Sequence, residues 1–162
     1  MPRKVKAKPD GYHSLTPGLT IKGADQAIEW YTKVLGAKLL SRMATPDGNG
    51  VWHAELRIGD SVLMLADEAP GMGSKGPEHE GLHSSAIHVY LEDADAVFQK
   101  AVAAGAKPTM PPMDMFWGDR YAQITDPFGH RWSLATHTED VPVGEMEARG
   151  KAWAAKTASQ NR

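Results

Sequence analysis

Hydrophobic and polar positions along the chain follow two spacings, which predict helices alternating with strands. Apolar residues recurring every three or four positions predict a helix over 23–35: Ala27, Ile28, Tyr31, Val34 and Leu35. Asp25 is placed to cap its first turn, and Gly36 to end it in the left-handed conformation. Alternation of apolar and polar residues predicts four strands in the same stretch: 15–21, 38–43, 51–58 and 61–65.

The same order begins again after a segment rich in Gly, Pro, Glu and His. A helix is predicted over 94–104, and four strands accompany it: 86–91, 107–110, 120–125 and 131–136. Gly36-Ala37-Lys38 matches Gly105-Ala106-Lys107 at a shift of 69 residues, and Ile58-Gly59-Asp60 matches Phe128-Gly129-His130 at a shift of 70. A repeat of this length indicates duplication of one supersecondary unit. We therefore predict an α+β fold of two tandem βαβββ modules, with a small-molecule pocket between the copies.

The repeat also sets the expected domain boundaries. Residues 1–14 read as an N-terminal tail, and residues 15–140 as one two-module domain. Within that domain the modules cover about 15–68 and 86–137, joined by a linker over 69–85. Residues 141–162 hold a C-terminal helix, expected over 143–156, and a tail.

Composition narrows the classes of function. The chain has 162 residues and a net charge of −2, so it lacks the basic surface typical of nucleic-acid binding. No apolar run is long enough to span a membrane, and the basic N-terminus lacks the apolar stretch of a signal peptide. The sequence has no cysteine, which excludes disulfides and thiolate metal ligands. A cytoplasmic location is expected by default.

Each predicted strand has one apolar face, which must cover a helix, and a second face with unusual composition. A water-facing surface would typically carry Lys and Glu, but this one carries His, Tyr and Ser. That composition suits a partly enclosed cleft with placed polar groups; an ordinary solvated face is the alternative. The candidate ligand-binding and catalytic residues on this face are as follows: His53, Glu55, Met64, His88, Tyr90, Tyr121 and Ser133.

Single residues suggest particular roles. His88 is a candidate general base with Glu55 orienting it, or else a half-buried histidine paired with Tyr90 or Glu55. Trp117 is a candidate roof for a flat ligand, or else part of the core. Arg120 is a candidate for bidentate binding of a ligand carboxylate or phosphonate, unless neighbouring Asp119 neutralises it.

Several segments together resemble the vicinal oxygen chelate superfamily, which contains glyoxalase I, extradiol dioxygenases and bleomycin resistance proteins. The segment Ala27–Ala37 resembles its first-helix signature, and Asp126–His130 its second-half turn. Three further segments resemble the PhnB-like branch: 53–60, 116–120 and 132–137. The resemblance covers about Leu15 to Asp140, and it implies paired βαβββ modules and a homodimer.

The resemblance also shows where a divalent metal would be held. Metalloenzymes of the superfamily carry His, Glu or Gln ligands on the first and fourth strands of each half. Those positions fall near Thr16, Met64, Ala86 and Ser133, and none is a good ligand for a divalent ion. We therefore predict no metal and no other cofactor, although a pair such as His53 and Glu55 on one strand face leaves a substitute divalent site open.

The expected function is a small-molecule-binding protein of this superfamily, without the usual divalent metal. The alternative is an enzyme: a glyoxalase-like lyase or isomerase, or a dioxygenase-type metalloenzyme, that uses non-standard cleft residues. The expected partners are a small-molecule ligand and a second copy of the chain, with no nucleic acid and no membrane.

Overall fold

The structure is a computed structural model that describes residues 5–77 and 84–160. Every strand and helix expected from the sequence is found in it, in the expected order. The first half contains five main elements: β1 (Gly18–Ile21), α1 (Ala24–Leu35), β2 (Lys38–Ala44), β3 (Val51–Ile58) and β4 (Ser61–Asp67). A 3₁₀ turn, Pro70–Met72, lies in the expected linker. The second half follows the same order: β5 (Ile87–Tyr90), α2 (Ala94–Ala103), β6 (Lys107–Asp114), β7 (Asp119–Thr125), β8 (Arg131–His137) and α3 (Val143–Gln160).

The strands form two four-stranded sheets of equivalent topology. Their orders are β1-β4-β3-β2 and β5-β8-β7-β6. In each sheet the first and last strands of the module pair parallel, and the other pairs are antiparallel. This arrangement confirms the predicted α+β fold of two βαβββ modules. The chain divides into two compact units, one containing β1 to β4 together with the Phe128–His130 turn, the other containing the remaining second-half elements.

In the first unit, α1 covers one face of its sheet. Tyr31 on the helix and Ile21, Leu56 and Leu65 on the strands are at most 2% exposed. Burial of side chains of this size stabilises the fold by about 1.5–3 kcal/mol each. Because strand side chains alternate, the residues of β3 and β4 that lie between these core residues point to the opposite face of the sheet.

The start of α1 differs from the expectation. Asp25 does not cap the helix, because its side chain lies within the first turn and forms a bidentate ion pair with Arg42 on β2. The capping group is the Asp67 carboxylate at the end of β4. It accepts hydrogen bonds from the backbone N–H groups of Gly23 (3.1 Å), Ala24 (2.8 Å) and Val51 (2.7 Å). The predicted left-handed end of the helix at Gly36 is confirmed, with φ of 66°.

In the second unit, α2 packs on the equivalent face. The buried core there consists of Ala122, Ile124, Trp132 and Leu134, all at most 1% exposed. Trp132 donates its indole N–H to Asp126 over 2.9 Å, so the large buried side chain has no unsatisfied donor.

The two corresponding edge strands, β2 and β6, differ in composition. β6 continues through Pro111 and Pro112 to Asp114, beyond the predicted end at Met110. Proline is tolerated because β6 is an edge strand with shifted register, where the missing N–H has no partner to lose. β2 is exposed along its whole length and contains no proline.

The terminal helix α3 packs part of its length on the second unit. Trp153 joins the cluster of Met115, Tyr121 and Ala135, and its ring lies 5.9 Å from that of Phe116. A Cβ on Gly150 would lie 3.1 Å from the Phe116 ring, so the glycine permits this close approach. Within the described residues, no helix combines the length and apolar character needed to cross a bilayer.

Candidate ligand-binding site

The first unit contains a pocket between its N-terminal segment and the free face of its sheet. The segment preceding β1 passes over β3 and β4 and forms one wall of an open pocket of about 500 Å³. The lining includes two residues predicted from the sequence, Glu55 and Met64. The remaining lining residues come from the segment 7–16: Ala7, Lys8, Pro9, Tyr12, His13, Ser14 and Thr16.

Glu55 is the best-connected polar group in this pocket. Its carboxylate accepts a hydrogen bond from the Tyr12 hydroxyl and lies 3.2 Å from Nε2 of His53. The Glu55 side chain is 18% exposed. The Tyr12 hydroxyl, followed by the His53 imidazole, lowers the pKa of Glu55, and the carboxylate in turn raises the pKa of Tyr12. Glu55 is therefore ionised at neutral pH.

The second sheet carries a hydrogen-bonded row of polar side chains on the face opposite α2. Tyr121 and Ser133 hydroxyl oxygens lie 2.8 Å apart. Gln123 donates to Tyr121 over 2.7 Å, and Arg131 donates to Gln123 over 3.0 Å. The row fixes the orientation of Tyr121 and Ser133, two of the predicted site residues.

Aromatic rings continue the same face. His88 lies 4.8 Å from the Tyr90 ring and 5.9 Å from the Tyr121 ring, measured between centroids. Trp117 meets Tyr121 edge to face at 5.3 Å. Tyr90 is 64% exposed. The structure thus brings four predicted residues of the second unit, His88, Tyr90, Trp117 and Tyr121, into one group.

Asp119 lies at the end of this aromatic group and was not predicted as a site residue. It is 3% exposed and accepts a hydrogen bond from the Trp117 indole over 2.9 Å. Nδ1 of His137 lies 2.8 Å from its other oxygen, and Nε2 of His137 lies 2.9 Å from Asp140. Hydrogen bonds with Asp140 and then with Asp119 raise the pKa of His137.

Arg120 lies elsewhere. Its guanidinium donates two hydrogen bonds of 2.9 Å to Asp95 on α2, and it also contacts Asp114. It shares the strand parity of Ala122, so it is on the helix-covered face, opposite Tyr121. The alternative left open for Arg120, pairing with Asp119, differs from the pairing found. Arg120 pairs with Asp95 and Asp114, and the Asp119 carboxylate bonds Trp117 and His137. Arg120 does not line the pocket of the first unit.

The sequence prediction missed Tyr12, which it placed in a tail. The only local sign was an aromatic residue in an otherwise polar segment, and its contact with Glu55 spans 43 residues of chain. Asp119 and His137 were also missed, although they occupy directly paired positions on β7 and β8.

The residues at the superfamily's metal positions do not fit a divalent ion. Thr16 donates its hydroxyl to the backbone oxygen of His13, and Ser133 shares its hydroxyl with Tyr121. Met64 offers only a thioether, and Ala86 offers no donor. Among the described residues, no three His, Asp or Glu side chains are grouped as metal ligands would be.

Comparison with known proteins identifies the superfamily to which the chain belongs. The family model of the Glyoxalase/Bleomycin resistance protein/Dioxygenase superfamily matches residues 13–134. The chain belongs to this superfamily.

Particular relatives narrow the comparison. Rv0887c, an uncharacterized protein of Mycobacterium tuberculosis, is 41% identical over 138 residues, which cover 83% of this chain and 81% of that protein. The crystal structure of TioX from Micromonospora sp. has a TM-score of 0.58 at 26% identity and covers 77% of this chain and 98% of that one. A PhnB protein from Bacillus cereus, at 20% identity, shares the fold with a TM-score of 0.59 and covers 76% and 98%.

Proposed function

We propose that the chain is a small-molecule-binding member of the superfamily that holds its ligand without a divalent metal at the usual strand positions. The observation that carries the proposal is the pocket of about 500 Å³ in the first unit, which Glu55 and Met64 line. Its volume is in the range of small-ligand sites. The side chains at the metal positions favour this interpretation, because they are hydroxyl, thioether and methyl groups.

The chemistry of the pocket suits binding by direct contact. Tyr12 and His53 hold the Glu55 carboxylate in one orientation, so a ligand donor would meet a preorganised acceptor. Met64 and Pro9 supply apolar surface beside it, and a thioether adapts to ligands of different outline. The predicted residues of the second sheet, His88, Tyr90, Trp117, Tyr121 and Ser133, form a separate group in the second unit and do not line this pocket.

The test uses protein labelled with ¹³C in its methionine methyl groups and dialysed against a chelator. The Met64 signal is identified from Met64→Leu, and Met72, which is 79% exposed and outside the pocket, serves as the control signal. We expect members of a fragment library to shift the Met64 methyl and leave Met72 unchanged, with chelator present. A screen in which Met64 shifts only after zinc or another divalent ion is added would overturn the proposal.

A second candidate function is acid–base catalysis, as a lyase or isomerase. The observation that favours it is the row of Tyr12, Glu55 and His53, in which a phenol, a carboxylate and an imidazole are hydrogen-bonded in sequence. Any compound that shifts Met64 should be incubated with catalytic amounts of protein and followed by mass spectrometry and NMR. Turnover that Glu55→Gln abolishes supports catalysis, whereas an unchanged compound leaves binding as the function.

Homodimer formation and a cytoplasmic location stay predictions. Sedimentation velocity across a range of protein concentrations tests homodimer formation. Fractionation of the source cells tests the cytoplasmic location.

A further inference from the structure

The pocket of the first unit has a charge asymmetry that points to the chemical class of its ligand. Glu55 is the most enclosed charged group in it, at 18% side-chain exposure. Among the described residues its hydrogen-bond partners are Tyr12, His53 and Ser41. Two of these are hydroxyls and the third is an imidazole, so within the described residues no Lys or Arg donates a hydrogen bond to the carboxylate.

Among the described residues, the cationic groups near the pocket, Lys8 and Arg57, donate to backbone oxygens and not to Glu55. Lys8 is exposed, and its ammonium donates to the backbone oxygen of Tyr12 over 2.6 Å. The Arg57 guanidinium donates to the backbone oxygens of Gly11 and Asp60, each over 3.4 Å. His13, with 53% of its side chain exposed, lies 3.9 Å from the Asp60 carboxylate. Water screens the exposed Lys8 ammonium, whereas the half-buried Glu55 carboxylate acts through a lower effective dielectric.

Glu55 also has acceptor capacity left. A carboxylate offers about four acceptor sites, and three donors surround this one. A ligand N–H group can therefore bind without displacing the Tyr12 hydroxyl. The neighbouring Met64 thioether and Pro9 ring would contact the apolar part of the same ligand.

We propose that the ligand of this pocket is an organic amine, whose protonated nitrogen binds Glu55 and whose apolar group lies against Met64 and Pro9. The inference rests on the proposed function, since it specifies the ligand class for the same pocket. A ligand ammonium adds the attraction of a full positive charge to the hydrogen bond that a hydroxyl also forms with the carboxylate. Desolvation offsets part of this gain, so we expect a margin of about tenfold in affinity.

The experiment compares three probes of the same shape: benzylamine, benzyl alcohol and benzoate. Each is titrated at neutral pH and low ionic strength against the methionine-labelled protein, and its dissociation constant is read from the Met64 methyl shift. We expect benzylamine to bind about tenfold more tightly than benzyl alcohol, and benzoate to bind most weakly. Glu55→Gln should remove the preference for the amine, and the matched control Glu29→Gln, on the exposed side of α1, should retain it.

The outcomes separate this inference from the proposed function. If benzyl alcohol shifts Met64 as strongly as benzylamine, the pocket binds small molecules but the amine assignment is wrong. If none of the probes and no library fragment shifts Met64, the proposed function fails as well. If Glu55→Gln does not fold, the wild-type comparison of benzylamine with benzyl alcohol still decides the assignment.

Discussion

Gly118 offers a sharp test of how the second unit is held together. It lies in the turn between β6 and β7 with φ of 97°, and a Cβ there would lie 2.1 Å from the backbone oxygen of Glu139. That separation is far inside the ordinary carbon–oxygen contact distance of about 3.3 Å. The Gly118 oxygen also accepts hydrogen bonds from the backbone N–H groups of Thr138 (2.9 Å) and Glu139 (3.0 Å). An added methyl group must therefore displace the chain that follows β8.

The size of the effect follows from two separate costs. A left-handed φ costs a residue with a Cβ about 1–2 kcal/mol. Relief of the overlap by a backbone shift costs about 1–3 kcal/mol more. Gly118→Ala should then lower the free energy of unfolding by about 2–5 kcal/mol.

Gly105 provides the matched control in the same unit. Its φ is 95°, but a Cβ there would meet only the Pro127 ring at 3.8 Å, an ordinary contact. Gly105→Ala should therefore lose only the conformational cost of about 1–2 kcal/mol. In urea or thermal unfolding followed by circular dichroism, Gly118→Ala should unfold about 2–12 °C below Gly105→Ala. Equal stability of the two variants would refute the proposed clash with Glu139.

Three further results are expected. Asp67→Ala removes the acceptor of three backbone N–H groups and should destabilise the protein by about 2–4 kcal/mol in urea unfolding. Asp67→Asn should have a stability between those of the wild type and Asp67→Ala. If Asp67→Ala loses less stability than an ordinary surface substitution, the capping role is contradicted. Because its pKa is raised in the folded state, His137 should add stability at low pH and lose it as pH rises through the folded pKa. Asp140→Asn should lower that pKa in an NMR titration, and an unchanged value would exclude the contact. Trp153→Ala should destabilise the second unit by about 1–3 kcal/mol in the same unfolding assay, since the ring is only partly buried; no change would mean that α3 does not pack stably.

The helices and strands and their order could be predicted from the sequence, because periodicity and turn residues are local properties. Strand parity also placed His88, Tyr90, Tyr121 and Ser133 on one face, which the register of β5, β7 and β8 confirms. Arg120 was named as a candidate ligand-binding residue although its strand parity did not support this. Its parity with Ala122 indicated the helix-covered face, where it binds Asp95.

The remaining features depend on contacts between distant parts of the chain. Periodicity carries no information on Tyr12, because the segment before β1 has no regular structure and finds Glu55 only in the fold. The helix cap is similar: Asp25 has the right residue type near the start of α1, but Asp67 reaches three backbone donors at once. Whether a side chain forms such a contact depends on which other groups lie within its reach, and these are unknown until the strands are paired.

The contrast between the edge strands β2 and β6 has a consequence for self-association. Pro108, Pro111 and Pro112 remove backbone donors along β6, so an additional strand cannot form a continuous ladder there. β2 keeps all its N–H groups and exposes Leu39, which is 48% accessible, and Met43, which is 59% accessible. Of these two edges, β2 is therefore the one at which strand addition, and with it aggregation at high concentration, would begin. A single proline or an added lysine at an outward position of β2 is the substitution to make when the protein must be kept concentrated.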